Sequence, residues 1–122
     1  MPNIANLGSS FNVKLKAGVS VGQGTLVNVD SNGEGRLADH SSSYWAHGIA
    51  FASGAGTKTA GMNQYVRVDR AGLVTDVDYV TLTPGAKVYL GEDGKFATSG
   101  TQVVGLALAS DKVLVDIDLQ QV

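Results

Sequence analysis

The chain has 122 residues, 43% hydrophobic and 16% charged, which suits one self-sufficient domain and is too apolar for a disordered chain. Nine Lys and Arg against eleven Asp and Glu give a formal net charge of -2, so no global field gathers nucleic acid or an anionic membrane, and neither is an expected partner. The lack of cysteine excludes disulfides, thiolate nucleophiles and Cys-held metal sites; no apolar run reaches the roughly 20 residues of a membrane helix, and no basic-then-apolar leader opens the chain, so neither a membrane span nor classical secretion is expected.

Met1 to Ser10 has no periodicity and carries Pro, Gly, Asn and Ser, which predicts a flexible arm outside the core; its Ile4 and Leu7 are apolar and lack an obvious partner. Residues 11–122 are read as a single β domain. FNVKLKA alternates, with Phe11, Val13 and Leu15 on one buried face. TLVNVD (25–30) predicts a second strand, and SNGEG after it holds the Asn-Gly hairpin signal, with the return through Arg36 and Leu37. YWAHGIAFAS (44–53) reads as a mostly buried strand, GAGTKTAG (54–61) as a loop and QYVRVD (64–69) as a strand. RAG is then the turn into a strand LVTDVDYVTL (73–82). The remainder alternates turns with strands: TPG, KVYLG, EDG, KFAT, VVGLALAS and KVLVDIDL. Nowhere do apolar residues hold a helical period over three turns, so no long helix is expected.

Two stretches repeat. VSVGQGTLVNVDSNG (19–33) aligns with VTLTPGAKVYLGEDG (80–94), matching Gly24 to Gly85 and Gly33 to Gly94, and GIAFAS (48–53) aligns with GLALAS (105–110) after a four-residue shortening. The fold class is therefore all-β: a compact β-barrel or β-sandwich with an imperfect internal two-fold repeat, its halves near 19–53 and 80–110. Gly33 and Gly94 are expected at equivalent hairpin positions with positive φ.

Several groups of residues invite a chemical reading. GAGTKT resembles a phosphate loop, but Lys58 follows Thr57 rather than Gly and no helix is predicted after it, so a surface loop is preferred. His40 and His47 with Asp39 and Ser41 to Ser43 suggest a weak metal site or a serine triad, yet no nucleophile elbow or oxyanion hole is announced. His47 is expected on a strand, facing solvent or a neighbouring subunit. The pairs Asp76/Asp78 and Asp116/Asp118, two apart, would share one strand face, where they could hold calcium or share a proton; a solvated face explains them more simply. Tyr44, Trp45, Tyr65, Tyr79 and Tyr89 could stack on sugars, although core filling and subunit contact suit aromatics in apolar strands. Tyr44, Trp45 and His47 are the candidates for partner or subunit contact.

The segment KVYLGEDGKFATSGTQVVGLALASDKVLVDID, starting at Lys87, resembles a module recurrent in structural proteins of tailed bacteriophages. EGRLADHSSSYWAHGIAFASGAGTK with YVRVDRAGLV is similar to small capsid decoration and head-fibre proteins. That resemblance implies a non-enzymatic protein on the outer surface of the virion, bound to the major capsid protein, often as a homotrimer, with no cofactor and no catalytic residue. Three functions then compete: decoration through the arm (Ile4, Leu7) and a barrel edge, a carbohydrate- or receptor-binding fibre module using Tyr44 and Trp45, and a small hydrolase using His47 with Ser43 or an Asp pair.

Overall fold

In the computed structural model, which describes residues 10–51, 58–59 and 65–119, the alternating segments become twelve strands and no α-helix occurs among the described residues. The first half supplies β1 (Ser10–Leu15), β2 (Ser20–Val21), β3 (Leu26–Val29), β4 (Glu34–Leu37), β5 (Gly48–Phe51), β6 (Lys58–Thr59) and β7 (Tyr65–Asp69). The second supplies β8 (Ala71–Val74), β9 (Lys87–Leu90), β10 (Phe96–Ala97), β11 (Val103–Ala109) and β12 (Lys112–Asp116).

Strands β1-β4-β3-β5-β7 form a closed barrel. β1 closes it, antiparallel to β7 (Val13 opposite Val66) and parallel to β4 (Lys14 opposite Glu34, Leu15 opposite Gly35). Val13, Leu15, Val27, Ala50, Val66 and Val68 fill its interior together with Val21 of β2, which pairs with β6 beside the barrel. A five-stranded sheet, β10-β9-β11-β12-β8, packs against the barrel. Its inner residues Val88, Leu90, Val104, Ala107, Val113 and Val115 form a second core with Leu26 and Ile49, which point outward from the barrel. Each of these leucine, isoleucine and valine side chains contributes about 1.5–3 kcal/mol by leaving water, so the joint between the halves is as firmly held as the barrel interior.

The repeat is visible bond by bond. Followed around from β4 to β1, the barrel order β4-β3-β5-β7-β1 recurs as β10-β9-β11-β12-β8. The Gly24 amide donates to the Ala50 carbonyl at 2.9 Å, and the Gly85 amide to the Ala107 carbonyl at 2.8 Å; the Asp30 amide donates to Glu34 at 2.9 Å, and Gly91 to Lys95 at 2.8 Å. Gly33 and Gly94 have φ of 76° and 75°, as their matched hairpins require. The copies differ at closure. β8 leaves its sheet at Val74, Asp76 takes φ 59°, and no pairing joins β8 to β10. The Tyr79 hydroxyl instead accepts the Phe96 amide at 2.8 Å, the position equivalent to Gly35 in the first copy. One copy is thus a barrel and the other an open sheet.

Some expected boundaries are corrected. The segment 73–82 is a strand only to Val74: beyond it the Val77 amide donates to Asp111 at 3.0 Å and that of Leu82 to Ser110 at 3.0 Å, so the chain runs over the β11–β12 turn. Val77 and Leu82 are nevertheless buried, which explains the misleading alternation. Ala71 and Gly72 belong to β8 rather than a turn, and Lys58 and Thr59 pair with β2 rather than lying in a loop. Of the expected 44–53 strand, 48–51 form β5 while 44–47 do not, because Tyr44 pairs back with Asp39 and residues 45 and 46 bond to the Asn28 and Gln102 side chains; residues 52 and 53 lie outside the described residues. Phe11 is 36% exposed rather than buried. Asp76 and Asp78 share no strand, while Asp116 points outward from β12 and Asp118 follows its end, so the argument from a common strand face fails for both pairs. Residues 1–9, with Ile4 and Leu7, lie outside the described residues, and Ser10, expected in the arm, opens β1.

Candidate functional site

The connection from β4 to β5 brings Tyr44, Trp45 and His47 together. Asp39 and Tyr44 exchange both backbone hydrogen bonds at 2.9 Å, closing a tight loop in which Ser43 takes φ 58°. The Asp39 carboxylate accepts the Ser41 hydroxyl at 2.6 Å and the Ser41 amide at 2.9 Å; these bonds favour its charged form and hold its pKa below the ordinary value.

Beyond Tyr44 the backbone is fixed by buried side chains. Asn28 donates to the Trp45 carbonyl at 2.7 Å. Gln102 donates to the Ala46 carbonyl at 2.9 Å and accepts the Ala46 amide at 2.8 Å. The His47 amide donates to Val27 at 2.8 Å, and its Nδ1 accepts the Val29 amide at 2.8 Å. Buried amide side chains are costly without partners, so Asn28 and Gln102 select this one path for residues 45 and 46. The second oxygen of that network is also used: Asn28 Oδ1 accepts Arg36 Nε at 2.9 Å, and the Arg36 guanidinium lies 3.5 Å over the Tyr44 ring.

Trp45 packs partly into the second core and meets the His40 ring edge-on at 6.1 Å. His40 also donates its amide to Gly91 at 2.8 Å, tying the loop to the second half, and its Nδ1 is buried with no hydrogen-bond partner among the described residues. Tyr44 faces a shallow hollow shared with Val19, Arg36, Leu37 and Asp93.

The hydrogen bonds make this a stiff loop. His47 does not face outward from a strand as expected; it is half-buried beside β3, and burial lowers its pKa below 6.5. Its Nδ1 lone pair is held by the Val29 amide, and Asp39 Oδ1 by Ser41, so the geometry forms no Asp39–His47 relay for Ser43. Among the described residues no group of three or more His, Asp or Glu is placed to hold a metal ion. The five aromatics do not make one platform: Tyr65 lies on β7, Tyr89 on β9, and Tyr79 caps β10 with Lys95 5.4 Å over its ring. Tyr44 has one ring face covered by Arg36.

Sequence reasoning missed Asn28, Arg36 and Gln102. The available signal was a lone amide inside the apolar run TLVNVD and another at the head of QVVGLAL, where a buried polar residue needs a partner. The chain matches no protein-family model, and the search of curated proteins found no match.

Proposed function

We propose that the protein is a capsid decoration protein of a tailed bacteriophage, binding the major capsid protein on the outer surface of the assembled head, and acting as a homotrimer without enzymatic chemistry. The observation that carries this reading is the resemblance of the segment beginning KVYLGEDG to the phage structural module. It is supported by the coincidence of that segment with one continuous structural unit, β9 to β12, and by the reuse of the same strand order in the first half. In this reading, Ile4 and Leu7 provide apolar anchors, and the loop bearing Tyr44 and Trp45 presents a surface that needs little ordering when it meets a partner, so less of its contact energy is lost on binding. His47, held by the Val29 amide, braces the loop from beneath.

Decoration stabilises a head by mass action. A protein that binds the closed shell but not its open form shifts the equilibrium by RT ln(1 + [L]/Kd) per site, and many sites add. The test is co-sedimentation of the purified protein with undecorated capsids and, in parallel, with immobilised host glycans. Saturable binding to capsids with a raised capsid melting temperature supports the proposal. Binding to glycans alone replaces it with a receptor-binding fibre module.

A further inference from the structure

The outer face of the second sheet carries a row of leucines: Leu73 pairs with Leu114, and Leu114 with Leu106. They are 57%, 45% and 39% exposed, and Leu108 of the same face is 48% exposed. The corresponding position in the first copy is not bare. Leu106 and Lys87 are paired just as Ile49 and Leu26 are, and in the first copy that pair is buried by the second sheet. The fold therefore covers this face once and leaves its repeat open, and contiguous apolar patches of this kind mark interaction surfaces.

Charge along β12 indicates what covers it. Lys112, Leu114 and Asp116 alternate on the outer face, a cation and a carboxylate each two residues from the central leucine, and all three are exposed. Along β12 the pattern is self-complementary under one rotation only. A two-fold axis along the leucine row sets β12 antiparallel to its copy, leucine against leucine, with each Lys112 opposite the other copy's Asp116, while Lys87, which ends the row beside Leu106, lies toward its own copy at the margin of the contact. An axis along the strands would set lysine on lysine and aspartate on aspartate, at the cost of like-charge contact.

We infer that this face is a self-association surface, on which a second copy of the chain packs across a two-fold axis along Leu73, Leu114 and Leu106. The two sheets stack face to face as in aligned sheet packing. The contact is independent of capsid binding. In a trimer assembled through other surfaces, it joins subunits of neighbouring trimers.

Sedimentation velocity of the full chain at micromolar concentrations, without capsids, tests it. The expected result is a dimer, or a trimer that pairs into hexamers. Lys112→Glu and Asp116→Lys each weaken that step about tenfold or more by creating like-charge contacts, and the double swap restores it. Leu114→Lys, an outward substitution, abolishes it while far-ultraviolet circular dichroism stays unchanged. A chain that never pairs, pairing indifferent to all four variants, or a double swap no better than either single change overturns the inference. Failure to bind capsids leaves the result untouched.

Discussion

The side chain of Gln102 hydrogen-bonds both the amide and the carbonyl of Ala46, at 2.8 and 2.9 Å, across 56 residues of chain. It behaves as a one-residue strand partner. Gln102 is 2% exposed and Ala46 fully buried, so water cannot replace either bond.

Gln102→Leu should therefore leave two buried backbone groups unsatisfied and destabilise the fold by about 2–4 kcal/mol. Urea unfolding followed by circular dichroism checks this. Trp45 is the single tryptophan and is adjacent to Ala46, so its emission should shift to the red in the variant even before the global transition. An unshifted spectrum and unchanged midpoint would show that Asn28 alone holds the loop.

Gly33 and Gly94 share φ but not surroundings. A Cβ on Gly33 meets nothing within 4 Å, whereas one on Gly94 runs into the Thr25 side chain and lies 3.0 Å from the Leu26 carbonyl. Gly33→Ala should cost about 1–2 kcal/mol through left-handed strain alone. Gly94→Ala adds steric overlap where the Gly94 carbonyl accepts the Leu26 amide at 2.9 Å, and should cost at least about 1 kcal/mol more. Equal thermal shifts in the two variants would refute the difference.

His47 gives stability a pH dependence. Burial lowers its folded pKa below the ordinary 6.5, so in the window just below pH 6.5 the unfolded chain binds more protons and stability falls as pH falls. Protonation at Nδ1 also removes the acceptor for the Val29 amide. His47→Asn should flatten the profile in that window. A separate acid loss, below the ordinary carboxylate value of 3.8, belongs to Asp30 and Asp39, whose pKa values are lowered chiefly by the Glu34 amide and the Ser41 hydroxyl. Denaturant midpoints at stepped pH separate the two.

Deleting residues 2–9 should weaken capsid binding about tenfold or more through loss of Ile4 and Leu7, each aliphatic anchor being worth about 1.5–3 kcal/mol before ordering costs. The deletion stops short of Ser10, which pairs with Asp69 in the barrel. Co-sedimentation of the truncated chain with undecorated capsids reads the effect. Undiminished affinity would move the contact to the loop of Tyr44 and Trp45.

The all-β class, the duplication and the matched hairpins at Gly33 and Gly94 were legible in the residues themselves, because turn chemistry and period-two burial are local properties of the chain. Alternation, however, reports which side chains leave water and says nothing of what the backbone bonds to. Val77 and Leu82 bury without a ladder, and residues 45 and 46 find partners in the side chains of Asn28 and Gln102. Closure was beyond reach for the same reason. β1 reaches β4 in parallel while its repeat β8 turns away at Asp76, a difference settled by which distant groups, the Asp111 and Ser110 carbonyls and the Tyr79 hydroxyl, take the open hydrogen bonds. Such pairings depend on long-range assembly, and no local pattern of residues encodes them.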